Sequence, residues 1–164
     1  MIDIMRDRSK SVNPHPVEAV PAEGTNVLFD VWLVSRAATG ALDAALAPTG
    51  LTADEFGFYS VLMSAEVLTP SEVARWMSAP LTTVSSYVKR LEGRGHVERE
   101  PNPDDGRSYL LRLTPAGRQA HEAAGKAFLP VLGHVVAALD RHEPSVRRAL
   151  ARLREALDAD RRPA

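Results

Sequence analysis

Cysteine is absent from this 164-residue chain, which excludes disulfides and any cysteine-based redox switch. No uninterrupted apolar run of about 18 residues or more occurs, so no segment reads as a membrane span. Residues 1 to 16 carry charges but no apolar core, and therefore lack the pattern of a secretory signal. Net charge is nearly absent too: the formal value of −1 argues against a general polyanion binder, though not against a site where a few cations sit together. There is no internal repeat and no low-complexity tract. Nucleophile-elbow, Walker and dinucleotide fingerprints are all missing, so an enzyme is not expected and no cofactor is implied. The histidines, His15, His96, His121, His134 and His142, include no pair at the i, i+4 spacing of a helical metal site, so no metal is expected. These absences leave a cytoplasmic protein with a hydrophobic fraction of 45%, enough for one core plus helical extensions.

What is present is a strongly punctuated series of helices. Residues 1–25 hold Pro14, Pro16, Pro21 and Gly24 with little periodicity and read as a flexible N-terminal arm. From Asn26 to Ala47 the apolar positions recur at helical spacing until Pro48 and Gly50. Thr52 with Glu55 forms a capping box for a helix reaching Ala65, and Thr69, Pro70 and Glu72 repeat the device for a short helix ending near Met77. A further helix starts close to Pro80 and stops at Gly95, the natural left-handed cap. Val97–Glu100 and Tyr109–Leu113 read as two strands, with Pro101, Pro103, Asp104, Asp105 and Gly106 supplying the turn. Thr114-Pro115 opens a long helix that Gly125, Pro130 and Gly133 are expected to bend or interrupt. Pro144 restarts the chain as an amphipathic helix with Leu150, Leu153 and Leu157 on one side. The expected class is mainly α with a small β-hairpin wing: a winged helix-turn-helix over 51–113, flanked by helical regions at 26–47 and 114–160.

That order of parts has a chemical use. Two short helices packed at an angle can present the second to a DNA major groove, and a hairpin directly after them can carry one long cation to the minor groove. With Val84 at the centre of the buried stripe and about 100° per residue, Tyr87, Val88 and Leu91 return to that stripe. Thr82, Ser85, Ser86, Lys89 and Arg90 point away. Short hydroxyls suit base edges or phosphate, and the two cations suit backbone charge. In the wing, Asp105 is expected to hold the Arg107 guanidinium in a charge-assisted pair, so that Arg107 enters the minor groove. Each feature alone also reads as an ordinary solvated surface; their adjacency is what favours DNA. Local charge is a weak signal, with seven cations against five acids between Lys89 and Arg118.

From about residue 26 to 158 the chain resembles the MarR family of winged-helix regulators. Asp105-Gly106-Arg107 followed by Leu111, Leu113-Thr114 and Gly117 matches the family's D-x-R wing and L-T-x-x-G lead into the next helix. Thr83-Val84-Ser85 and Arg90-Leu91 through Gly95 match its recognition-helix pattern. Two positions depart: Ser86 stands where many members carry a basic residue, and His96 where an aliphatic is usual. The resemblance implies a homodimer whose first and last helices interlock, acting on a pseudo-palindromic double-stranded operator. It also implies a transcription factor, commonly a repressor, often relieved by a small aromatic acid or phenol.

The DNA-binding residues expected are therefore Thr82, Thr83, Ser85, Ser86, Lys89, Arg90, Asp105 and Arg107. For an effector, Trp32, Arg36, Phe56, Tyr59, Met63 and Trp76 would give a cleft with aromatic walls and one cation, suited to an anionic aromatic ligand. The same residues equally suit plain core packing. The competing readings are a winged-helix module that binds protein rather than DNA, and a regulator without a ligand. No membrane partner is expected.

Overall fold

Hydroxyl caps decide where several helices of this chain begin. The computed structural model describes residues 26–160, so the arm expected over 1–25 lies outside the described residues. In chain order it contains α1 (Val27–Leu46), a 3-10 turn (Ala47–Thr49), α2 (Ala53–Ala65), α3 (Pro70–Trp76) and α4 (Leu81–Gly93). Then come β1 (Val97–Pro101), β2 (Tyr109–Leu113), α5 (Pro115–Leu139), a 3-10 turn (Asp140–His142) and α6 (Glu143–Asp160). Both capping boxes form: Thr52 accepts from the Glu55 amide while the Glu55 carboxylate takes the Thr52 amide, and Thr69 and Glu72 do the same for α3. Thr114 caps α5 by accepting from the Gly117 amide at 3.1 Å.

By its contacts the chain divides into two units, Met1–Ser35 and Arg36–Ala164, with the boundary inside α1. In the first, the side chain of Asn26 accepts from the amides of Leu28 and Phe29, and the rings of Phe29 and Trp32 stack at 5.9 Å. The second unit holds the core. Phe58, Tyr59 and Leu62 of α2 meet Val84, Val88 and Leu91 of α4, closed by Val73 of α3 and by Leu111 and Leu113 of β2. This is the stripe expected of α4, with Tyr87 half-buried at its edge.

The strands pair antiparallel from Val97 opposite Leu113 to Pro101 opposite Tyr109. A bridge that the alternation pattern does not reveal joins Leu68, just before α3, to Leu111: each donates its amide to the other, at 3.2 and 2.8 Å. The wing is thereby anchored to the start of the helix-turn-helix. At the end of α4, Gly95 takes φ +70°, and the amides of Gly95 and His96 return to the carbonyls of Glu92 and Leu91. Only glycine enters that region without strain. The His96 carbonyl then accepts from the Thr114 amide, and a Cβ at Gly117 would fall 2.1 Å from the same oxygen. Gly117 is what lets α5 start against the base of the wing.

Of the bend or interruption expected in α5, the interruption does not occur. The helix runs unbroken from Pro115 to Leu139 with Pro130 inside it, rather than breaking near Gly125 or Gly133. Pro130 removes one ladder bond, to the carbonyl of Lys126, but both residues are exposed and the freed carbonyl is not left in a core. The stretch Pro115–Ala159 contains an 18-residue window of mean hydropathy 1.3, long and apolar enough to cross a membrane by composition, and only 6% of that window is buried. Leu129, Leu132, Val135 and Val136 are its exposed apolar side chains on α5, and Leu150 and Leu157 are exposed on α6.

Candidate nucleic-acid interface

Among the described residues no side chain caps α4: its N-cap is Pro80, and the first polar side chains after it are the short ones at 82, 83, 85 and 86. Thr82, Ser85 and Ser86 are exposed, and Thr83 is half-buried. The hydroxyls of Ser85 and Ser86 donate to the carbonyls of Leu81 and Thr82, one turn back, at 2.9 and 3.0 Å. Their protons are thus spent on the helix, and what they turn outward is lone pairs. In that state they are acceptors, suited to amino groups rather than to phosphate oxygens. Lys89, a turn further along, is exposed.

The wing lies beside this face. Thr69, Pro70 and Ser71 of the α3 start, Leu81 and Ser85 of α4, and Arg107, Ser108 and Tyr109 of the wing line one depression of about 200 Å³. The loop is fixed by its own side chains: Asn102 donates to the Ser108 hydroxyl at 2.7 Å and accepts from the Asp104 amide at 3.0 Å. Asp105 does not hold the Arg107 guanidinium as expected. Its carboxylate accepts instead from the Arg107 backbone amide at 2.9 Å, and its carbonyl from the Ser108 amide. An aspartate two residues before an amide closes a local turn more readily than it reaches a long, solvated side chain.

Charge is sorted by pairing. Of the seven cations between 89 and 118, four face carboxylates: Arg90 and Arg94 reach Glu55, Arg99 reaches Glu92, and Arg112 reaches Glu98 and Glu100. Among the described residues, Lys89, Arg107 and Arg118 have no such partner. Arg90 points away from the buried stripe as expected and is exposed, but it is paired. Its Nε sits 2.7 Å from Glu55, and its guanidinium lies over the Tyr87 ring at 5.1 Å. Glu55 is 2% exposed, and a buried carboxylate recruits the nearest cation. Burial pushes the Glu55 carboxyl upward, but the Thr52 amide, the Arg90 hydrogen bond and the charges of Arg94 and Arg90 outweigh it and hold it below its ordinary value.

Of the six residues expected to line an effector cleft, Trp32 belongs to the first unit and the other five to the second, where they take different surroundings. Tyr59 is fully buried, its hydroxyl 2.8 Å from Nδ1 of His96, and it serves the core. Trp76 lines a small recess of about 230 Å³ with Arg75, Arg154 and Asp158, and Arg154 stacks over its ring at 5.8 Å. Trp32 and Arg36 are exposed. Only Met63 lines the large open cavity of about 780 Å³ along α2 and α5, with Phe128, Leu129, Arg118, His121 and Lys126 among its walls. Phe56 packs on two of those walls, stacked on His121 at 5.2 Å and tilted against Phe128 at 5.7 Å.

Comparison with known proteins agrees with this arrangement. The model of the MarR family matches residues 49–108. The multiple antibiotic resistance protein MarR of Salmonella typhimurium is 31% identical over 100 residues, 58% of this chain and 69% of that one. An HTH-type transcriptional repressor of Mycobacterium tuberculosis is 30% identical over 119 residues, covering 73% of this chain and 84% of the repressor. The chain belongs to the MarR family. It is accordingly a transcriptional regulator and not an enzyme. Among solved structures, the M. tuberculosis regulator MosR in complex with DNA aligns at TM-score 0.73 and 28% identity, over 84% of this chain and all of that one. Apo MarR from E. coli aligns at TM-score 0.66 and 26% identity, over 78% and 95%.

Within this MarR fold, two features escaped the sequence reading. Glu55 was legible as a cap, but its second role needs α4 folded back onto it. Asp54, its neighbour, accepts from the Tyr87 hydroxyl at 3.0 Å, which no local pattern signals.

Proposed function

We propose that this regulator is a homodimeric repressor that acts in the cytoplasm and reads a pseudo-palindromic operator, with half-sites about 10 base pairs apart. In this reading residues 51–113 form the DNA-binding lobe, and 26–47 with 114–160 form the dimerisation region. The observation that carries it is the pairing pattern. Among the described residues, the cations without a carboxylate partner at the helix-turn-helix and wing are Arg75 on α3, Lys89 on the outer face of α4 and Arg107 at the wing tip. Of these, Arg107 lines the depression between α4 and the wing, and Lys89 lies a turn along α4 from Ser85, which lines it too.

In the proposed complex α4 lies in the major groove. Ser85 and Ser86 accept from amino groups of adenine or cytosine, Thr82 and Thr83 approach the backbone with the uncapped first turn, and Lys89 meets phosphate. Arg107 enters the adjacent minor groove from a loop that Asp105 shapes. Dimerisation is supported by exposed Val27, Leu28, Phe29, Trp32 and Val34 on α1 and by the exposed apolar side chains of α5 and α6, which one chain leaves in water.

The open cavity along α2 and α5 supports a small-molecule effector. Apolar and aromatic walls with Arg118 and His121 suit an aromatic anion, although Lys126 on the same wall is paired with Glu122. Fluorescence anisotropy with duplexes tiled across the chain's own upstream region tests the DNA reading, repeated with salicylate as the effector probe. One duplex bound far more tightly than the rest is expected, and equal affinity for all duplexes overturns sequence-specific binding. Light scattering should return twice the 17.8 kDa of one chain.

A further inference from the structure

The first turn of α2 grips the back of the recognition helix. Tyr87 donates to Asp54 at 3.0 Å, Arg90 Nε sits 2.7 Å from Glu55, and Arg94 lies 3.3 Å from the same carboxylate. Glu55 is itself immobilised, because its other oxygen takes the Thr52 amide in the capping box. The grip is off-centre. Tyr87, Arg90 and Arg94 lie along one flank of α4, next to the face that carries Ser86 and Lys89. Loosening it would free α4 to rotate slightly, within what the packing of its buried stripe Val84, Val88 and Leu91 allows. We propose that Glu55 and Arg90 form a positioning pair for operator reading: they fix the rotation of α4 and keep the Arg90 charge away from phosphate.

The chemistry favours this over direct backbone contact. Moving Arg90 to a phosphate would strip a 2%-exposed carboxylate of its closest cation, leaving Arg94 at 3.3 Å as the remaining one. Yet Arg90 keeps nearly half of its side-chain surface, so it lies at the rim of the interface, where a small rotation of α4 is felt. The pair thus bears on which bases are read and not on how many phosphates are neutralised.

The inference rests on α4 entering the major groove, so the test needs an arm that questions that reading separately. Glu55→Gln with Arg90→Ala removes both charges and conserves net charge, and glutamine still serves a capping box. Anisotropy against operator and against scrambled duplex, over a salt series, should give a distinctive pattern. Operator affinity falls about tenfold, within the range one misread base pair costs, while scrambled-duplex affinity and the salt slope stay at wild type. Glu55→Gln alone, which releases the arginine charge, should tighten scrambled-duplex binding and steepen the slope by up to about one unit per subunit.

A slope that falls by about one unit per subunit in the double variant would mean that Arg90 touches phosphate, and the proposal is wrong. Unchanged operator preference with only a lowered melting temperature would make the pair purely structural, which also overturns it. Lys89→Ala is the separate arm. If that variant leaves the slope unchanged, the groove reading itself fails, whatever the pair does.

Discussion

Gly117→Ala is the sharpest test of how the wing is hung on the helices. The added Cβ would lie 2.1 Å from the His96 carbonyl oxygen and 2.9 Å from its carbon, both backbone atoms that no rotamer change can move. Relief requires α5 to back away from β1. That movement works against two bonds: Thr114 amide to His96 carbonyl at 3.0 Å, and Thr114 hydroxyl to Gly95 carbonyl at 2.7 Å. Overpacking costs about 1–3 kcal/mol, and each weakened hydrogen bond about 1 kcal/mol. Alanine returns about 1 kcal/mol of helix propensity, so the net loss should be about 2–4 kcal/mol. The control is Gly93→Ala, at the end of α4, where a Cβ meets nothing within 4 Å. There the same chemical change should stabilise by about 0.5–1 kcal/mol. Urea denaturation of both variants at one fixed protein concentration reads the two signs. Equal stability of Gly117→Ala and the parent would refute the close approach.

Lys89→Ala should weaken binding to every duplex and lower the salt slope by about one unit per subunit, whereas Ser86→Ala should reorder affinities among operator variants at constant slope. Arg107→Ala should cost about 1–3 kcal/mol of operator affinity per subunit. Asp105→Asn should be nearly silent, because an amide oxygen keeps the turn to the Arg107 backbone; a loss as large as that of Arg107→Ala would restore the guanidinium pair. Burial lowers the His121 imidazole below its ordinary 6.5, so the unfolded chain takes up a proton first and stability falls as pH drops from about 6.5 through the folded value. His121→Gln should flatten that part of a melting-temperature profile.

Much of the fold was written locally. Threonine three residues before glutamate, glycine after an apolar stripe and a proline-rich turn each name a chain conformation that neighbours alone can impose. The helix starts at Thr52 and Thr69, the stop at Gly95 and the hairpin were therefore legible. What escaped depends on contacts between residues far apart in sequence. The outward phase of Arg90 was legible because helical phase is a local property, but its pairing was not, because its guanidinium direction is set by Glu55, 35 residues earlier. Tyr59 read as a pocket wall because an aromatic has the same sequence signature in a cavity and in a core; a partner at His96 settles which. Pro130 left a bend and an interruption equally open, and the helix runs on through it where the freed Lys126 carbonyl lies on an exposed residue.

The near-neutral charge of the chain acquires a meaning once the pairs are known. A regulator that left Arg90, Arg94, Arg99 and Arg112 free would attract any duplex, and its affinity would be mostly counterion release. Here Glu55, Glu92, Glu98 and Glu100 absorb those four, and of the cations left without a carboxylate among the described residues from α3 to the start of α5, Arg75, Lys89, Arg107 and Arg118, the proposed complex uses Lys89 and Arg107. With about four such side chains in a dimer, the logarithmic salt slope should lie near −4, at about 0.9 per neutralised phosphate. A slope of about −7 or steeper would mean that the paired arginines change partners on DNA. A slope near −4 would leave discrimination to the hydroxyl face of α4 and to the pairs that aim it, because little non-specific attraction remains to bind the wrong sequence.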